Sequence, residues 1–127
     1  MTQLNQIYKC LVCGNIVEVV HTGAGELVCC NQPMILQEEH IEDEGFEKHL
    51  PALSFEGDEL KVTVGETLHP MSEEHYIEWI ELIIGDKVER VYLKPTDSPE
   101  AVFKYNGEPN YIVRTYCNIH GLWELRM

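Results

Sequence analysis

The sequence predicts a mainly β protein in which a small cysteine-rich unit precedes a larger β domain. Four of the five cysteines lie within the first 30 residues, as Cys10-x-x-Cys13 and Cys29-Cys30. After residue 50, runs of β-branched and aromatic residues recur at close spacing, separated by Gly, Asn and Asp turns. A length of 127 residues fits one ordinary domain plus a metal-stabilised unit, because a unit below about 40 residues rarely folds by burial alone.

The four cysteines of the first unit form a complete tetrathiolate set for one metal ion. The turn of Cys10-x-x-Cys13 can direct two sulfurs at one ion. Cys29 and Cys30 are adjacent, and neighbouring side chains on an extended chain point to opposite faces. Both can bind one ion only through a local kink, so we expect a distorted tetrahedron. A vicinal disulfide is disfavoured by its strained geometry, whereas zinc and iron both suit four thiolates.

An acidic run from Glu38 to Glu44 separates the two units. Such a run is typical of a solvated linker, and a docking surface for a redox partner is the less favoured interpretation. We therefore expect a metal-binding unit at residues 1–37 and a β domain at residues 38–127.

Seven β-rich runs follow the acidic segment, and their number favours a β-sandwich or barrel. Gly57, Gly85-Asp86 and Asn106-Gly107 mark turns, since these residues tolerate positive φ. The segment Ile77–Leu82 is ambiguous because its apolar spacing partly fits a helix, but β-branching favours a strand. The predicted strands are Ala52–Phe55, Leu60–Val64, Tyr76–Ile84, Val88–Leu93, Ala101–Tyr105, Tyr111–Cys117 and Leu122–Arg126.

Composition and charge argue against several classes of protein. The formal net charge of −13 disfavours a nucleic-acid-binding surface, which needs clustered Lys and Arg. No apolar run approaches the roughly 18 residues of a membrane helix, so we expect a soluble protein. The first ten residues lack the features of a secretory signal, which predicts a cytoplasmic location. In a reducing compartment, an odd number of cysteines favours metal binding or redox chemistry over structural disulfides.

A second group of metal-ligating residues is distributed through the β domain. The Cys117-x-x-His120 motif is its strongest signal, because one tight loop between two strands presents a sulfur and an imidazole. His21 and His40 lack such settings and are predicted to be surface residues. Each histidine alone is more often an ordinary polar residue, but together five side chains predict an open, reactive metal site: His49, His69, His75, Cys117 and His120.

These motifs together resemble desulfoferrodoxin, the two-iron superoxide reductase family, over nearly the whole chain. The most specific features are the vicinal cysteines and the histidine-rich second unit. Only residues 96–109 carry no motif of the family. The matching segments are Ile7–Val19, Leu27–Met34, Glu47–His49, His69–Met71, His75–Glu81 and Cys117–Gly121.

The resemblance implies a fold, an activity and two iron sites. The implied fold is a rubredoxin-like metal knuckle followed by a seven-stranded immunoglobulin-like barrel or sandwich, usually as a homodimer. The implied activity is one-electron reduction of superoxide to hydrogen peroxide at a mononuclear non-haem Fe(II) centre, with electrons from a partner such as rubredoxin and without haem or nucleotide. The first iron is assigned to Cys10, Cys13, Cys29 and Cys30, and the catalytic iron to His49, His69, His75, His120 and an axial Cys117.

The resemblance also assigns roles to two residues that precede His49. Lys48 attracts superoxide and orders a proton-donating water, and Glu47 caps the vacant position of ferric iron after turnover. The acidic chain, with Glu73 and Glu74 beside a proposed ligand, should oppose an anionic substrate at long range. Local attraction by the iron and Lys48 must therefore dominate within a Debye length of about 8 Å.

Three other functions remain open from the residues alone. A blue-copper electron carrier would use Cys117, His120, an upstream histidine and Met127, but it leaves two histidines unexplained and predicts a blue absorption band without iron. A zinc knuckle on a binding sandwich predicts a colourless protein without redox chemistry. A mononuclear iron oxygenase is weaker, because it usually needs two histidines and a carboxylate.

Overall fold

The computed structural model describes residues 1–41, 49–65 and 69–127. These residues divide into two compact units, Met1–Glu38 and Glu39–Met127. Every regular element among them is a β-strand, so the prediction of a mainly β fold is confirmed. Among the same residues, there is no helix of the length and apolar character that crossing a membrane requires.

The first unit contains five short strands, which are β1 (Ile7–Lys9), β2 (Ile16–Glu18), β3 (Val28–Cys29), β4 (Gln32–Pro33) and β5 (Ile35–Leu36). Three of them form a sheet of order β2-β1-β5, and β3 pairs with β4 in a separate hairpin. Ile7 and Val19 are buried, whereas Val20 and Val28 are largely exposed. Because so little apolar surface is buried, we expect the stability of this unit to depend on its metal ion.

The second unit contains the seven predicted strands, which are β6 (Pro51–Glu56), β7 (Glu59–Val64), β8 (Ile77–Ile84), β9 (Lys87–Tyr92), β10 (Glu100–Lys104), β11 (Tyr111–Cys117) and β12 (Gly121–Arg126). They form two antiparallel sheets, of order β10-β7-β6 and β12-β11-β8-β9. Gly57 and Gly85 both have a φ of 58°. These two hairpin turns therefore use the positive φ values that the sequence predicted.

The two sheets of this unit share one hydrophobic core, as in a β-sandwich. In β7, Leu60, Val62 and Val64 are fully buried while Glu59 and Lys61 are exposed, which is the two-residue alternation of a strand with one face on the core. Apolar side chains of β8, β10 and β11 complete the core. Each fully buried Val or Leu stabilises the fold by roughly 1.5–3 kcal/mol, so the core holds both sheets against each other.

The ambiguous segment near residue 80 is strand β8, as predicted. It is a central strand, hydrogen-bonded to β11 on one side and to β9 on the other. Ile80 and Leu82 belong to the shared core, and Trp79, Glu81 and Ile83 are buried on the opposite face. A strand that is buried on both faces shows no polar alternation, and its apolar spacing therefore partly resembles that of a helix.

A row of alternating charges crosses the four-stranded sheet. Successive cross-strand neighbours on β9, β8, β11 and β12 are Arg90, Glu81, Arg114 and Glu124. The Glu81 carboxylate accepts hydrogen bonds from Arg90 and Arg114, and Arg114 also lies 3.9 Å from the carboxylate of Glu39. Glu81 is fully buried and Arg114 is 2% exposed. Only one alignment of the strands pairs these charges, so the row specifies their register.

Replacement of Glu81 tests the importance of this row. Glu81→Ala leaves two guanidinium groups without their shared carboxylate, and we expect the free energy of unfolding to fall by about 3–5 kcal/mol. Urea denaturation followed by tryptophan fluorescence measures the loss, because both tryptophans lie in the second unit. Glu100→Ala is the matched control: its ion pair with Lys61 is exposed, at 3.3 Å, and its loss should change stability by about 0–1 kcal/mol. Equal losses in the two variants would contradict the prediction.

Candidate metal centres

The five predicted donor residues of the second unit lie where strands begin or end. Antiparallel pairing brings these ends together, since Cys117 at the end of β11 pairs with Ile77 at the start of β8. A shift of register between Tyr116 and Cys117 interrupts the ladder at this point, as bulges beside functional sites often do. The donors are His49 before β6, His69 after β7, His75 before β8, Cys117 at the end of β11 and His120 before β12.

The donor atoms of these five residues all lie within 4.8 Å of one another. His49 Nε2 is 3.0 Å from His120 Nδ1, and that nitrogen is 3.8 Å from the Cys117 sulfur. Nitrogen ligands about 2.1 Å from one ion are separated by about 3.0 Å when adjacent and by about 4.2 Å when opposite. The observed spacing therefore fits a single metal ion.

The four imidazole rings are arranged as a square, in the order His49, His69, His75 and His120. Centroids of adjacent rings are 4.6, 4.7, 5.0 and 4.7 Å apart. The diagonal from His49 to His75 is 6.4 Å, close to the diagonal of a flat square with those sides. A site with four nitrogen donors and a sulfur as the fifth donor uses all four histidines. The blue-copper alternative left two of them unexplained.

Burial differs across this His4Cys cluster. Cys117 is fully buried and belongs to the hydrophobic core of the second unit. His49 and His69 are buried, His75 is half-buried and His120 is exposed. The sulfur donor is therefore enclosed by the protein, and His120 is the one exposed residue of the five.

Hydrogen bonds orient several of the donors. His69 Nδ1 donates to the carbonyl of Pro70 at 2.8 Å, so Nε2 is its lone-pair nitrogen. Asn118, inside the Cys-x-x-His loop, accepts a hydrogen bond from the Tyr76 amide at 2.9 Å and donates one to the Glu74 carbonyl at 3.1 Å. These contacts flank His75, and the loop that carries Cys117 is therefore tied to the loop that carries His75.

The four cysteines of the first unit form the second donor group. The Cys29 sulfur lies 3.6 Å from that of Cys13 and 3.9 Å from that of Cys30. Sulfur ligands about 2.3 Å from one ion at tetrahedral corners are about 3.8 Å apart, so the spacing fits a tetrathiolate metal site. None of the five cysteines, all of which the structure describes, forms a disulfide bond, and the 3.9 Å separation excludes a vicinal disulfide.

The predicted kink at the vicinal cysteines is confirmed. Cys30 and Asn31 have φ values of 52° and 60°, which place both residues in the left-handed region. This conformation is unfavourable for residues with a Cβ atom, and it breaks the extended geometry that would direct the two sulfurs to opposite faces. Both sulfurs can consequently face Cys10 and Cys13.

Hydrogen bonding makes the four thiols unequal. Backbone N–H groups of Cys13 and Val12 donate to the Cys10 sulfur and lower its pKa to about 6. Side-chain hydrogen bonds with Cys13 and Cys29 raise the pKa of Cys30 to about 12. Sulfurs this close resist joint ionisation at neutral pH unless a cation compensates their charge. The cluster is therefore a donor set for a thiophilic metal ion such as iron.

Both units match models of one protein family. The family model described as "Desulfoferrodoxin, N-terminal domain" matches residues 2–36, and the one described as "Desulfoferrodoxin" matches residues 41–126. This chain belongs to the desulfoferrodoxin family. The predicted resemblance is thus confirmed, and the two donor groups of the chain fit the two iron centres expected from it.

Individual relatives support this assignment, and a solved structure has a similar fold. A desulfoferrodoxin homolog of Archaeoglobus fulgidus is 56% identical, over 98% of this chain and 98% of that protein. A superoxide reductase of Pyrococcus horikoshii is 40% identical, over 61% of this chain and 84% of that protein. The crystal structure of the superoxide reductase from Treponema pallidum has a TM-score of 0.76 and 24% sequence identity, covers 97% of this chain and 98% of that one, and supports the fold.

The structure brings together all nine predicted donor residues in two groups. Glu47 and Lys48 lie outside the described residues, and their roles stay predictions. His21 and His40 are exposed, as expected. Sequence reasoning missed Trp123, which contacts two residues of the His4Cys cluster. Strand alternation could predict that the Trp123 side chain faces the core, but it could not predict which distant residues that side chain contacts.

Two cysteine substitutions test the independence of the two metal sites. Cys13→Ala removes an exposed donor of the tetrathiolate group and should abolish iron binding there, while the His4Cys site keeps its iron. Cys117→Ala should have the opposite effect, because each site depends on its own complete donor set. Metal analysis with visible spectroscopy of each purified variant measures both occupancies. If either variant lost both irons, or neither, the two-site assignment would be wrong.

Proposed function

We propose that this chain reduces superoxide to hydrogen peroxide at the His4Cys cluster. The observation that carries the proposal is the square of four imidazoles with a buried cysteine as the fifth donor. Membership of the desulfoferrodoxin family and the similarity to a superoxide reductase of Pyrococcus horikoshii support it. We further propose that the nine clustered side chains are the ligands of two iron ions, as predicted.

The charge of the donor set suits an anionic substrate. Neutral imidazoles bind a metal through a lone pair, and cysteine binds as a thiolate, so an Fe(II) ion in this site carries a net charge of about +1. When bound, the iron supplies the single electron that takes superoxide to the oxidation level of peroxide, and two protons complete hydrogen peroxide. An iron ion with only these five protein ligands would be able to bind a small anion as well. The residues around the cluster control the access of superoxide and of protons to the metal ion.

Access to the cluster follows from the burial of its donors. Cys117 is fully buried, whereas His120 and its chain neighbour Ile119 are exposed, as is Pro70 next to His69. We therefore expect superoxide to reach the cluster from its exposed side, next to His120. An iron ion held there would receive electron density from the Cys117 thiolate.

Lys48 and Glu47 are proposed to act on this exposed side. Both immediately precede the proposed ligand His49 in the chain. We propose that Lys48 attracts superoxide and orders a water that donates protons, and that Glu47 occupies the open position after turnover. Glu73 and Glu74 are exposed near His75, and the positive charge of Lys48 offsets their repulsion at short range.

The supply of electrons and the assembly of the protein are also proposals. Each turnover consumes one electron from outside the chain, and we propose rubredoxin as a donor of the right kind, a one-electron iron protein. The tetrathiolate iron either relays these electrons or stabilises the first unit, and reduction kinetics of the Cys13→Ala variant separate the two roles. We propose that the protein acts in the cytoplasm and that it forms a homodimer.

Product stoichiometry tests the proposed reaction. The reduced protein, mixed with superoxide, should yield hydrogen peroxide mole for mole with superoxide consumed and should release no dioxygen. Dismutation instead oxidises half of the superoxide to dioxygen. Peroxide and dioxygen measured in the same sample distinguish the two reactions, and dioxygen in equal amount to peroxide would refute reduction.

Replacement of Lys48 tests its proposed role. We expect Lys48→Ala to slow superoxide capture about tenfold, because local charge raises the rate at which an anion arrives, and to leave the iron content unchanged. Stopped-flow mixing of the reduced protein with superoxide measures the rate constant. Lys87→Ala removes an exposed lysine from strand β9 and serves as the control. The role would be refuted if the two variants captured superoxide equally fast.

A further inference from the structure

Trp123 lies against the His4Cys cluster and contacts two of its residues. Its ring stacks on that of His49, with centroids 4.5 Å apart and planes inclined by only 11°. Its indole Nε1–H donates a hydrogen bond to the backbone carbonyl of His120 at 3.2 Å. Trp123 is 4% exposed, so both contacts are shielded from water.

The residues joined by this one side chain come from distant parts of the sequence. His49 precedes β6, in the three-stranded sheet, whereas His120 lies in the turn before β12, in the four-stranded sheet. Their nitrogens are 3.0 Å apart, close enough for two adjacent ligands of one ion. A rigid indole in contact with both residues therefore fixes their relative position.

Thr115 supports His49 from the neighbouring strand. It is the cross-strand partner of Trp123, is fully buried, and donates a hydrogen bond from Oγ1 to the His49 carbonyl at 3.3 Å. Thr115 thus holds the backbone of His49 while Trp123 holds its ring. This anchoring matters because His49 lies outside any strand, and strand pairing does not fix its orientation.

A second imidazole ring also contacts the indole. The His40 ring lies 4.6 Å from the Trp123 ring, and the backbone of His40 exchanges hydrogen bonds with Leu122 and Glu124 of β12, each at 2.9 Å. Contacts with two imidazole rings and the hydrogen bond to His120 therefore define the position of Trp123.

We propose that Trp123 is a positioning residue of the catalytic metal site, which holds His49 and His120 in the geometry of adjacent ligands before the metal binds. Residues that orient ligands raise the affinity of a metal site, because the free donors need less ordering on binding. The inference rests on the proposed metal site but not on its reaction with superoxide. Metal retention can therefore be tested separately from catalysis.

Substitution of the two tryptophans provides a matched comparison. Trp79 is also buried, at 7% exposure, and stacks on Tyr116, but it lies on the opposite face of the same sheet, because it is adjacent to the core residue Ile80. Trp123→Phe keeps an aromatic ring against His49 and removes the N–H group. Trp123→Leu removes the stacking as well. Trp79→Phe and Trp79→Leu are the controls.

Chelator competition on the iron-loaded full chain measures the apparent affinity of the His4Cys site, and the tetrathiolate iron of the same molecule is the internal reference. We expect about fivefold weaker binding in Trp123→Phe, from the lost hydrogen bond, and about 10–100-fold in Trp123→Leu. The visible absorption of the oxidised His4Cys iron should shift in both variants, and that of the tetrathiolate iron should not. The controls should match the wild type in both readouts.

Two results would overturn the proposal. The first is a Trp123→Phe variant that binds iron as tightly as the wild type and has an unshifted absorption spectrum. Because this variant preserves most of the buried volume, the test stays valid even if Trp123→Leu does not fold. The other is an equal loss of affinity in the Trp79 controls, since that would reflect general destabilisation of the sheet. Peroxide production plays no part in either criterion, so the failure of this proposal leaves superoxide reduction standing.

Discussion

Five donors around one ion require strand ends from two sheets to keep their relative positions to within about 0.5 Å. Pairing of β8 with β11 meets much of this requirement, because it places Cys117 opposite the start of β8, next to the His75 loop. A slip of one residue would turn Cys117 away from the core. The buried ion pair between Glu81 and Arg114, on the same two strands, opposes such a slip. The register of these strands therefore keeps the donor residues in the positions that a metal ion requires.

The two donor groups bring their metal-ligating residues together in different ways. The tetrathiolate group comes from short loops of a small unit, where a left-handed Cys30 brings adjacent sulfurs to one ion. The His4Cys group takes its donors from the ends of long strands around a large core. Four thiolates leave no open position on a tetrahedral ion, which suits electron transfer or structural support. Four imidazoles and one thiolate would leave a metal ion able to bind a substrate, as redox chemistry at a metal requires.

Much of this fold and site follows from local sequence signals. Runs of β-branched and aromatic residues separated by turn residues predicted the strands, and the cysteines and histidines with their local motifs predicted both donor groups. Burial on both faces of β8 removed its polar alternation, so β-branching alone favoured the correct prediction of a strand. The contacts of Thr115 and Trp123 with His49 were beyond such signals, because they join residues far apart in the chain. Side-chain packing across sheets sets these contacts, and no local pattern encodes it.

The complete burial of Cys117 has a consequence for the durability of the protein. Hydrogen peroxide oxidises accessible thiolates to sulfenic acid and then irreversibly to higher acids. The thiolate closest to the site of peroxide formation lies in the hydrophobic core, whereas Cys13 and Cys30, in the other unit, are exposed. The core therefore shields the sulfur on which turnover depends from the oxidant that turnover releases.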